Sequence, residues 1–334
     1  MSLQNEVGTK EIMKIEDVKM HFPVRKGIFR QVVGYVKAVD GVSLTLTKGE
    51  TFGIVGESGS GKTTLGRVIV GLYHPTGGKV WYVNDTGKYD ISSGKIPLRV
   101  RQKIQMIFQD PLSSLDPRFT VEKALREGLE ISKEYDKNKM RDYLSELLKE
   151  VGLSQDYFGR YPHELSGGQR QRISVIRAMS MKPEVVVLDE PTSALDVSVQ
   201  AQTVNLLQDF QEKFNLTYVF ITHDISLAKY LSNRIAVMYL GRIMEMAESE
   251  ELFSNPLHPY TRALLESLPR FEARKDEKGK KKTLTGEVPS PINIPSGCRF
   301  RTRCPYATEK CEKVEPKLID VGNGHKVACH LYEK

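Results

Sequence analysis

A glycine-rich segment at residues 56–63, with the sequence GESGSGKT, constrains the fold of this 334-residue chain more than any other feature. It fits the pattern G-x-x-x-x-G-K-[ST], whose backbone N–H groups surround a polyphosphate. The segment follows an apolar run, FGIV, and opens a helical pattern, TLGRVIVGL. Because a helix N-terminus favours anions, this order of strand, loop and helix is typical of a nucleotide site. The alternative, a chance glycine-rich turn, would not require the flanking strand and helix.

Two side chains of this loop have expected roles of their own. Lys62 is expected to reach the β- and γ-phosphate oxygens, and the Thr63 hydroxyl is expected to bind Mg²⁺. The predicted nucleotide-binding residues of the segment are Gly56, Ser58, Gly59, Ser60, Gly61, Lys62, Thr63 and Thr64.

Two carboxylates, Asp189 and Glu190, end a second apolar run at residues 185–188. In an open α/β sheet the ligand crevice lies at the carboxyl ends of the strands, where an unpaired buried carboxylate is costly. We expect Asp189 to bind Mg²⁺ and Glu190 to orient and deprotonate an attacking water. Capping of the next helix would explain one carboxylate but not both. The pair therefore indicates hydrolysis.

The segment LSGGQRQR at residues 165–172 has the features of a second anion site, because a serine and two glycines precede a helical pattern. Here the sequence resembles the ATP-binding cassette (ABC) ATPases, whose signature LSGGQ it matches without a mismatch. The resemblance implies a head-to-tail dimer with two ATP molecules at the interface, so that this segment serves the ATP of the opposite chain. The implied contacts are Ser166, Gly167, Gly168 and Gln169. A simple helix cap is the alternative interpretation.

Other positions match the same family one by one. Gln109 corresponds to a glutamine that senses Mg²⁺, residues 193–196 correspond to the D-loop, and His223 corresponds to a histidine that holds the γ-phosphate and the water. Taken by itself, His223 would more often be a core or capping histidine. The aromatic residue that stacks on adenine is expected to be Phe22 or Tyr35, although either could be part of the core.

The resemblance also implies the fold class, an α/β ABC ATPase: a P-loop core sheet with an antiparallel β subdomain and a helical subdomain at about residues 110–165. Alternating apolar residues in the first fifty positions favour the antiparallel strands. Helical spacing between residues 121 and 152 favours the helical subdomain, with one apolar face formed by Leu144, Leu147, Leu148 and Val151. We expect the nucleotide-binding domain to span residues 1–254 and a C-terminal extension to span residues 255–334.

Residues 255–265, NPLHPYTRALL, resemble the extension found on ATPase subunits of dipeptide and oligopeptide importers. This resemblance implies two membrane-spanning permease subunits as partners, a second ATPase chain that is identical or related, and an external peptide-binding receptor that acts indirectly. It also implies a position on the cytoplasmic face of the cell membrane. Import of nickel or another small solute stays open as an alternative, as does a soluble ABC ATPase acting in iron–sulfur assembly or on nucleic acid. We expect no nucleic-acid partner.

Charge and hydropathy narrow the range of possible protein classes further. The formal net charge is +7, and +4 of it falls in residues 270–282, which are expected to form a solvated basic linker. No uncharged apolar run approaches the roughly 18 residues of a membrane span, and the first residues lack the apolar region of a secretion signal. We therefore expect a peripheral protein of a reducing compartment.

The four cysteines, Cys298, Cys304, Cys311 and Cys329, all lie beyond this linker. Structural disulfides are disfavoured in a reducing compartment, and zinc sites usually show closer cysteine pairs. Four thiolates also suit a [4Fe-4S] cluster. The family resemblance favours such a cluster, because similar extensions on some dipeptide-importer ATPases look like cluster sites. Zinc, free thiols and disulfides stay open. Three interleaved arginines, at positions 299, 301 and 303, could offset the negative charge of a cluster or could be ordinary surface residues.

Overall fold

In this computed structural model, the structure describes residues 10–110, 114–132, 136–193, 196–267 and 287–333. The strands are β1 (Glu11–Lys26), β2 (Gln31–Thr47), β3 (Thr51–Val55), β4 (Gly77–Asn84), β5 (Gly87–Asp90), β6 (Ile104–Ile107), β7 (Val185–Asp189), β8 (Thr217–Thr222), β9 (Arg234–Tyr239), β10 (Arg242–Glu248), β11 (Ile319–Asp320) and β12 (Lys326–Val327). The helices are α1 (Lys62–Ile69), α2 (Leu98–Lys103), α3 (Val121–Ser132), α4 (Lys137–Glu150), α5 (Gly167–Met179), α6 (Val197–Phe214), α7 (Ile225–Leu231), α8 (Ser249–Ser254), α9 (Pro259–Glu266) and α10 (Glu309–Lys313).

The first sheet is antiparallel and has the strand order β2-β1-β4-β5. Its strands alternate buried and accessible side chains, because successive residues of a strand point to opposite faces. Met13 and Ile15 of β1 pair with Leu46 and Leu44 of β2, and all four are buried. The antiparallel sheet predicted for the N-terminal residues is confirmed.

The second sheet has the order β11-β12-β10-β9-β3-β8-β7-β6. Its central strands β6, β7, β8, β3 and β9 run parallel, and β10 adds an antiparallel strand beside β9. Strands β3, β7 and β8 are buried at every position, as expected for parallel strands covered on both faces. Helix α6 forms the crossover connection between the neighbouring parallel strands β7 and β8.

Helix α1 packs closely on this sheet, and a glycine makes the approach possible. A Cβ atom at Gly66 would lie 2.7 Å from Cδ1 of Ile221 and 3.0 Å from Cγ1 of Val187. Since neither side chain leaves room for a methyl group, α1 can sit directly above β7 and β8 only with glycine here. The loop before α1 is thereby placed at the carboxyl ends of these strands.

The residues between β6 and β7 form a helical region whose apolar core continues onto the second sheet at Val186, Leu188 and Phe220. Its helices α3 and α4 precede two short 3₁₀ turns, Gln155–Gly159 and Pro162–Glu164, and then helix α5. The predicted apolar face of α4 and its C-terminal end is buried in this core, at Leu144, Leu147, Leu148 and Val151. The side chain of Asp136 accepts a hydrogen bond from the N–H of Asn138 and so caps the start of α4.

Residues 287–333 contain little regular structure, yet they attach to the second sheet through a strand pairing and an aromatic contact. Strand β12 pairs with β10, where Val327 lies opposite Glu245. Phe300 is fully buried against Tyr239 and Tyr260, with ring centroids 5.5 and 5.3 Å away. The predicted basic linker at residues 270–282 lies outside the described residues. In the part of the chain that the structure describes, no helix is both long and apolar enough to cross a bilayer.

Candidate nucleotide site

The loop between β3 and α1 is held in a conformation that requires glycine. Gly56 and Gly61 have φ angles of +154° and +103°. A Cβ atom at Gly56 would lie 2.2 Å from the carbonyl oxygen of Met238, and one at Gly61 would lie 2.0 Å from that of Ala38. The N–H of Gly241 donates to the carbonyl of Ser60 at 2.9 Å. The loop therefore packs tightly between β2 on one side and β9 with the β9–β10 turn on the other.

The first turn of α1 carries no side-chain cap. Its N-cap residue is Gly61, in the left-handed conformation, and no side chain accepts a hydrogen bond from the first helical N–H groups. These donors need a partner, and the positive end of the helix dipole favours an anion. The local structure thus leaves a place for a phosphate group at this helix end.

Lys62 lies inside the loop rather than in solvent. Its Nζ donates to the carbonyl oxygens of Gly56 at 2.7 Å and Glu57 at 3.0 Å. The side chain is buried, and burial lowers the pKa of Lys62, while the charges of Glu190, Asp189 and Glu57 act in the opposite direction. An ammonium group held here can meet the oxygens of a polyphosphate.

Thr63 and Asp189 face each other across the sheet edge. The Thr63 hydroxyl donates to Oδ1 of Asp189 at 2.9 Å, and Asp189 is only 2% exposed. Burial raises the pKa of Asp189, which the hydrogen bond from Thr63 partly opposes. A hydroxyl and a carboxylate oxygen are ligands that suit Mg²⁺, and a cation would stabilise the buried charge. The donor set therefore fits Mg²⁺, and the roles of these residues as ligands stay predictions.

The three predicted catalytic side chains meet at one carboxylate oxygen. Oε2 of Glu190 accepts a hydrogen bond from Nε2 of Gln109 at 3.0 Å and lies 3.1 Å from Nδ1 of His223. Glu190 has a φ of +47°, a strained value for this residue type, and its N–H donates to the carbonyl of Ile221 at 2.9 Å. The shared oxygen brings together the side chains that follow β6, β7 and β8, and the catalytic role of Glu190 stays a prediction.

The segment at residues 166–169 is held differently. Ser166 is the N-cap of α5, and it forms a reciprocal capping box with Gln169 through hydrogen bonds of 2.9 and 3.3 Å. The side chain of Gln169 also donates to the hydroxyl of Tyr157 at 2.9 Å. Ser166 is exposed, whereas Gly167 and Gly168 are half-buried. The helix cap is thus present, and a phosphate contact from this segment stays a prediction.

The remaining predicted residues differ in their contacts and exposure. Phe22 packs edge-on against Tyr73 with ring centroids 5.7 Å apart, whereas Tyr35 is 52% exposed, so both stay candidates for stacking on adenine. Ser193 of the D-loop donates its hydroxyl to the carbonyl of Glu190 at 3.1 Å. Ala194 and Leu195 lie outside the described residues. In the glycine-rich loop Ser58 and Gly59 are exposed, Ser60 is buried and Thr64 is half-buried.

The four cysteines come together in the fold although they are spread over residues 298–329. Cys298 and Cys329 are buried, Cys304 and Cys311 are half-buried, and all four are free thiols. The N–H of Cys298 donates to the carbonyl of Cys311 at 2.7 Å. Burial raises the pKa of Cys298 to about 11, and the other three thiols act in the same direction. Among the described residues, however, no group of three or more His, Cys, Asp or Glu is arranged to hold a metal ion.

The interleaved arginines bind acidic partners instead of surrounding the thiols alone. Arg299 forms an ion pair with Asp40, and Arg301 lies 3.5 Å from Glu312. Arg303 pairs with Glu57, a residue of the glycine-rich loop. Sequence analysis missed this contact because the two residues are 246 positions apart and no local pattern links them.

Two family models match the chain. The model "ABC transporter" matches residues 39–193, and the model "Oligopeptide/dipeptide transporter, C-terminal region" matches residues 244–311. The chain is 50% identical to the oligopeptide transport ATP-binding protein AppF of Bacillus subtilis, covering 96% of this chain and 97% of the relative. It is 44% identical to the dipeptide transport ATP-binding protein DppF of Escherichia coli, covering 100% and 98%.

Solved structures give the same fold. The ATP-binding cassette MJ0796, in a dimeric post-hydrolysis state bound to ADP and phosphate, matches with a TM-score of 0.61 and 27% identity, covering 71% of this chain and 99% of that one. The protein cbiO1 of Clostridium perfringens, part of the ABC transporter complex cbiONQ, matches with a TM-score of 0.60 and 26% identity, covering 73% and 91%. The resemblance read from the sequence motifs is confirmed.

The glycine geometry predicts the outcome of one pair of substitutions. Gly61→Ala should weaken ATP binding by about tenfold or more, because the new methyl group would meet the Ala38 carbonyl and displace the loop. Gly59→Ala is the matched control, since Gly59 also has a positive φ but a Cβ atom there would meet no other atom within 4 Å. Isothermal titration with ATP would measure both. Equal affinity of the two variants would contradict a loop held by its neighbours.

Proposed function

The chain belongs to the ABC transporter family, and from this we propose that it is the ATP-hydrolysing subunit of an importer of dipeptides or oligopeptides. The observation that carries the ATPase assignment is the meeting of Gln109, Glu190 and His223 at one carboxylate oxygen beside the glycine-rich loop. The match of residues 244–311 to the peptide-transporter C-terminal region favours peptides over nickel and other small solutes. The same match disfavours a soluble ATPase of iron–sulfur assembly or nucleic-acid handling.

ATP is bound by the loop and by the start of α1. The N–H groups of Gly59, Gly61 and the first helical turn surround the phosphates, and Lys62 exchanges its two carbonyl partners for phosphate oxygens. Phe22 or Tyr35 stacks on the adenine. Thr63, Asp189 and Gln109 would hold Mg²⁺, which would supply positive charge to neutralise the phosphates.

Hydrolysis uses Glu190 as the general base. Its carboxylate accepts a proton from the attacking water, and the hydrogen bond from Gln109 holds the carboxylate in place. His223 lies on the same oxygen and can hold the water and the γ-phosphate. Because its backbone is fixed by the Ile221 carbonyl at the end of β8, Glu190 has little freedom to leave this position.

A second chain completes the site. The first turn of α5, at residues 166–169, is proposed to bind the γ-phosphate of the ATP held by the partner chain in a head-to-tail dimer. The exposure of Ser166 and its position as the N-cap of α5 support this role, since its hydroxyl can donate to a phosphate oxygen while it still accepts from the N–H of Gln169. The partner is a second copy or a related ATPase.

Transport requires membrane partners. We place the chain at the cytoplasmic face of the membrane, docked on two membrane-spanning permease subunits that receive peptides from an external receptor. An open cleft of about 530 Å³ is lined by residues 114–119, by α3 and by Arg177 of α5, and it supports docking there. The cleft presents apolar groups from Leu115, Pro117 and Phe119 beside the charges of Arg118 and Glu127. A partner helix with both apolar and charged side chains suits such a lining.

The chain divides, in this proposal, into a nucleotide-binding domain at residues 1–254 and an extension at residues 255–334. The extension is proposed to carry a [4Fe-4S] cluster on its four cysteines, with zinc as the alternative. Four free thiols gathered in a segment with little regular structure support the proposal, because a metal can stabilise a segment that lacks a large apolar core. The thiols would have to rearrange to hold a metal, because among the described residues no group of three or more possible ligands is arranged for one.

One substitution tests the general base. Glu190→Gln should retain ATP binding while turnover falls by about two orders of magnitude or more, because the amide cannot accept the proton of the water. The variant should accumulate as an ATP-bound dimer, measured by light scattering together with phosphate release. Glu184→Gln, just before the same strand, is the matched control and should keep turnover. Glu190→Gln turnover close to that of the wild type would remove Glu190 from this role.

A second substitution tests the composite site. Ser166→Arg should block ATP-driven dimerisation yet leave ATP binding by the monomer within about twofold, since the serine serves the opposite chain. Ser154→Arg introduces the same charge at another exposed serine of the helical region and should still dimerise. Analytical ultracentrifugation with and without ATP separates the two. Loss of ATP binding by the Ser166→Arg monomer would contradict the shared site.

The cysteines predict a measurable metal content. Protein purified without oxygen should absorb near 400 nm and contain about four irons per chain, and Cys311→Ser should lose both. Ser296→Ala, in the same segment, keeps all four thiols and should keep the iron. ATP binding by Cys311→Ser should persist. One zinc per chain without iron would replace the cluster with a zinc site.

A further inference from the structure

Glu57, in the glycine-rich loop, is bound at three separate points. Its carbonyl accepts from Nζ of Lys62 at 3.0 Å. Its N–H donates to the hydroxyl of Tyr260 at 2.9 Å. Its two carboxylate oxygens accept from NH1 and NH2 of Arg303 at 2.7 and 3.0 Å. Two of these three attachments come from residues beyond position 255, outside the nucleotide-binding domain proposed above.

The ion pair with Arg303 has the features of a strong contact. The two terminal guanidinium nitrogens each donate to one carboxylate oxygen, a bidentate geometry that fixes orientation as well as distance. The Arg303 side chain is 5% exposed and the Glu57 side chain 24% exposed, so that water screens the pair weakly. Loss of one partner would leave the other charge buried and unpaired.

Tyr260 is fixed just as firmly. It is fully buried, and its ring packs against those of Tyr239 and Phe300 with centroids 4.8 and 5.3 Å away. The guanidinium of Arg303 lies 5.9 Å from the ring centre of Tyr239 and 6.0 Å from that of Phe300. Arg303 and Tyr260, which both bind Glu57, thus contact one aromatic cluster. The cluster consists of Tyr239 of β9, Tyr260 of α9 and Phe300 of the C-terminal extension.

We propose that the C-terminal extension sets the conformation of the glycine-rich loop, with Arg303 and Tyr260 as positioning residues for ATP binding. The inference rests on the proposed ATP site. Arg303 neutralises the carboxylate of Glu57. Glu57 follows Gly56 in the glycine-rich loop, and its backbone carbonyl accepts a hydrogen bond from Lys62. Without Arg303, the free carboxylate would repel the phosphates of ATP, and it could also draw Lys62 away from them. Neither residue touches the reacting atoms, so the effect should fall on binding rather than on chemistry.

A double-mutant cycle tests the proposal. Arg303→Gln should raise the KM for ATP by about tenfold while kcat stays within about twofold, because the unpaired Glu57 charge weakens phosphate binding. Adding Glu57→Gln removes that charge and should return the KM to within about threefold of the wild type. Arg301→Gln is the matched control, since Arg301 lies in the same segment and binds Ser296 and Glu312 instead of the loop.

Hydrogen exchange gives a readout that does not depend on activity. Amides of the peptide covering residues 55–62 should exchange faster in Arg303→Gln than in the wild type or Arg301→Gln. Tyr260→Phe, which removes only the hydroxyl, should show the same faster exchange and serves if Arg303→Gln does not fold. An unchanged KM and unchanged exchange in Arg303→Gln would overturn the proposal, as would a KM that Glu57→Gln fails to restore. Failure of the wild type to bind ATP would instead overturn the proposed function.

Discussion

The burial of opposite charges at the carboxyl edge of the parallel sheet is the constraint on which the rest of the structure depends. Lys62 and Asp189 are 5% and 2% exposed, and Glu190 lies beside them. Charges removed from water are costly unless each has a partner. Thr63, Gln109 and the loop carbonyls supply part of that compensation, and a bound nucleotide with its cation would supply the remainder. A site that is incomplete without its ligand favours binding of that ligand.

The surroundings of this edge keep the charged groups in place. The Ala38 carbonyl of β2 lies against Gly61. Gly241, in the β9–β10 turn, donates a hydrogen bond to the carbonyl of Ser60. The C-terminal residues reach the same loop at Glu57. Parts of the chain outside the glycine-rich loop therefore contact it and restrict its conformation. Substitutions far from the site in sequence can then change its affinity for ATP.

Local patterns in the sequence predicted the strands and helices that carry the site, because interactions between residues close in sequence determine these elements. The apolar runs of β3 and β7, the glycines before α1 and the helical spacing of α4 each reflect interactions between near neighbours. The convergence of Gln109, Glu190 and His223 was expected only from the family resemblance, since three separate strands bring them together. The Glu57–Arg303 pair could not be predicted, because nothing within either segment records a partner 246 positions away. The choice between Phe22 and Tyr35 depends on where adenine lies, which a pattern of strand residues does not reveal.

Reconstitution with membrane partners tests the central claim, that this chain couples ATP hydrolysis to peptide import. The chain would be co-expressed with the two permease subunits of its system, purified with them and placed in lipid vesicles with the external receptor. The account predicts that receptor loaded with a di- or oligopeptide stimulates ATP hydrolysis and that labelled peptide crosses the bilayer only when ATP is present. A chain that hydrolyses ATP at the same rate with and without loaded receptor, and moves no peptide, would contradict it.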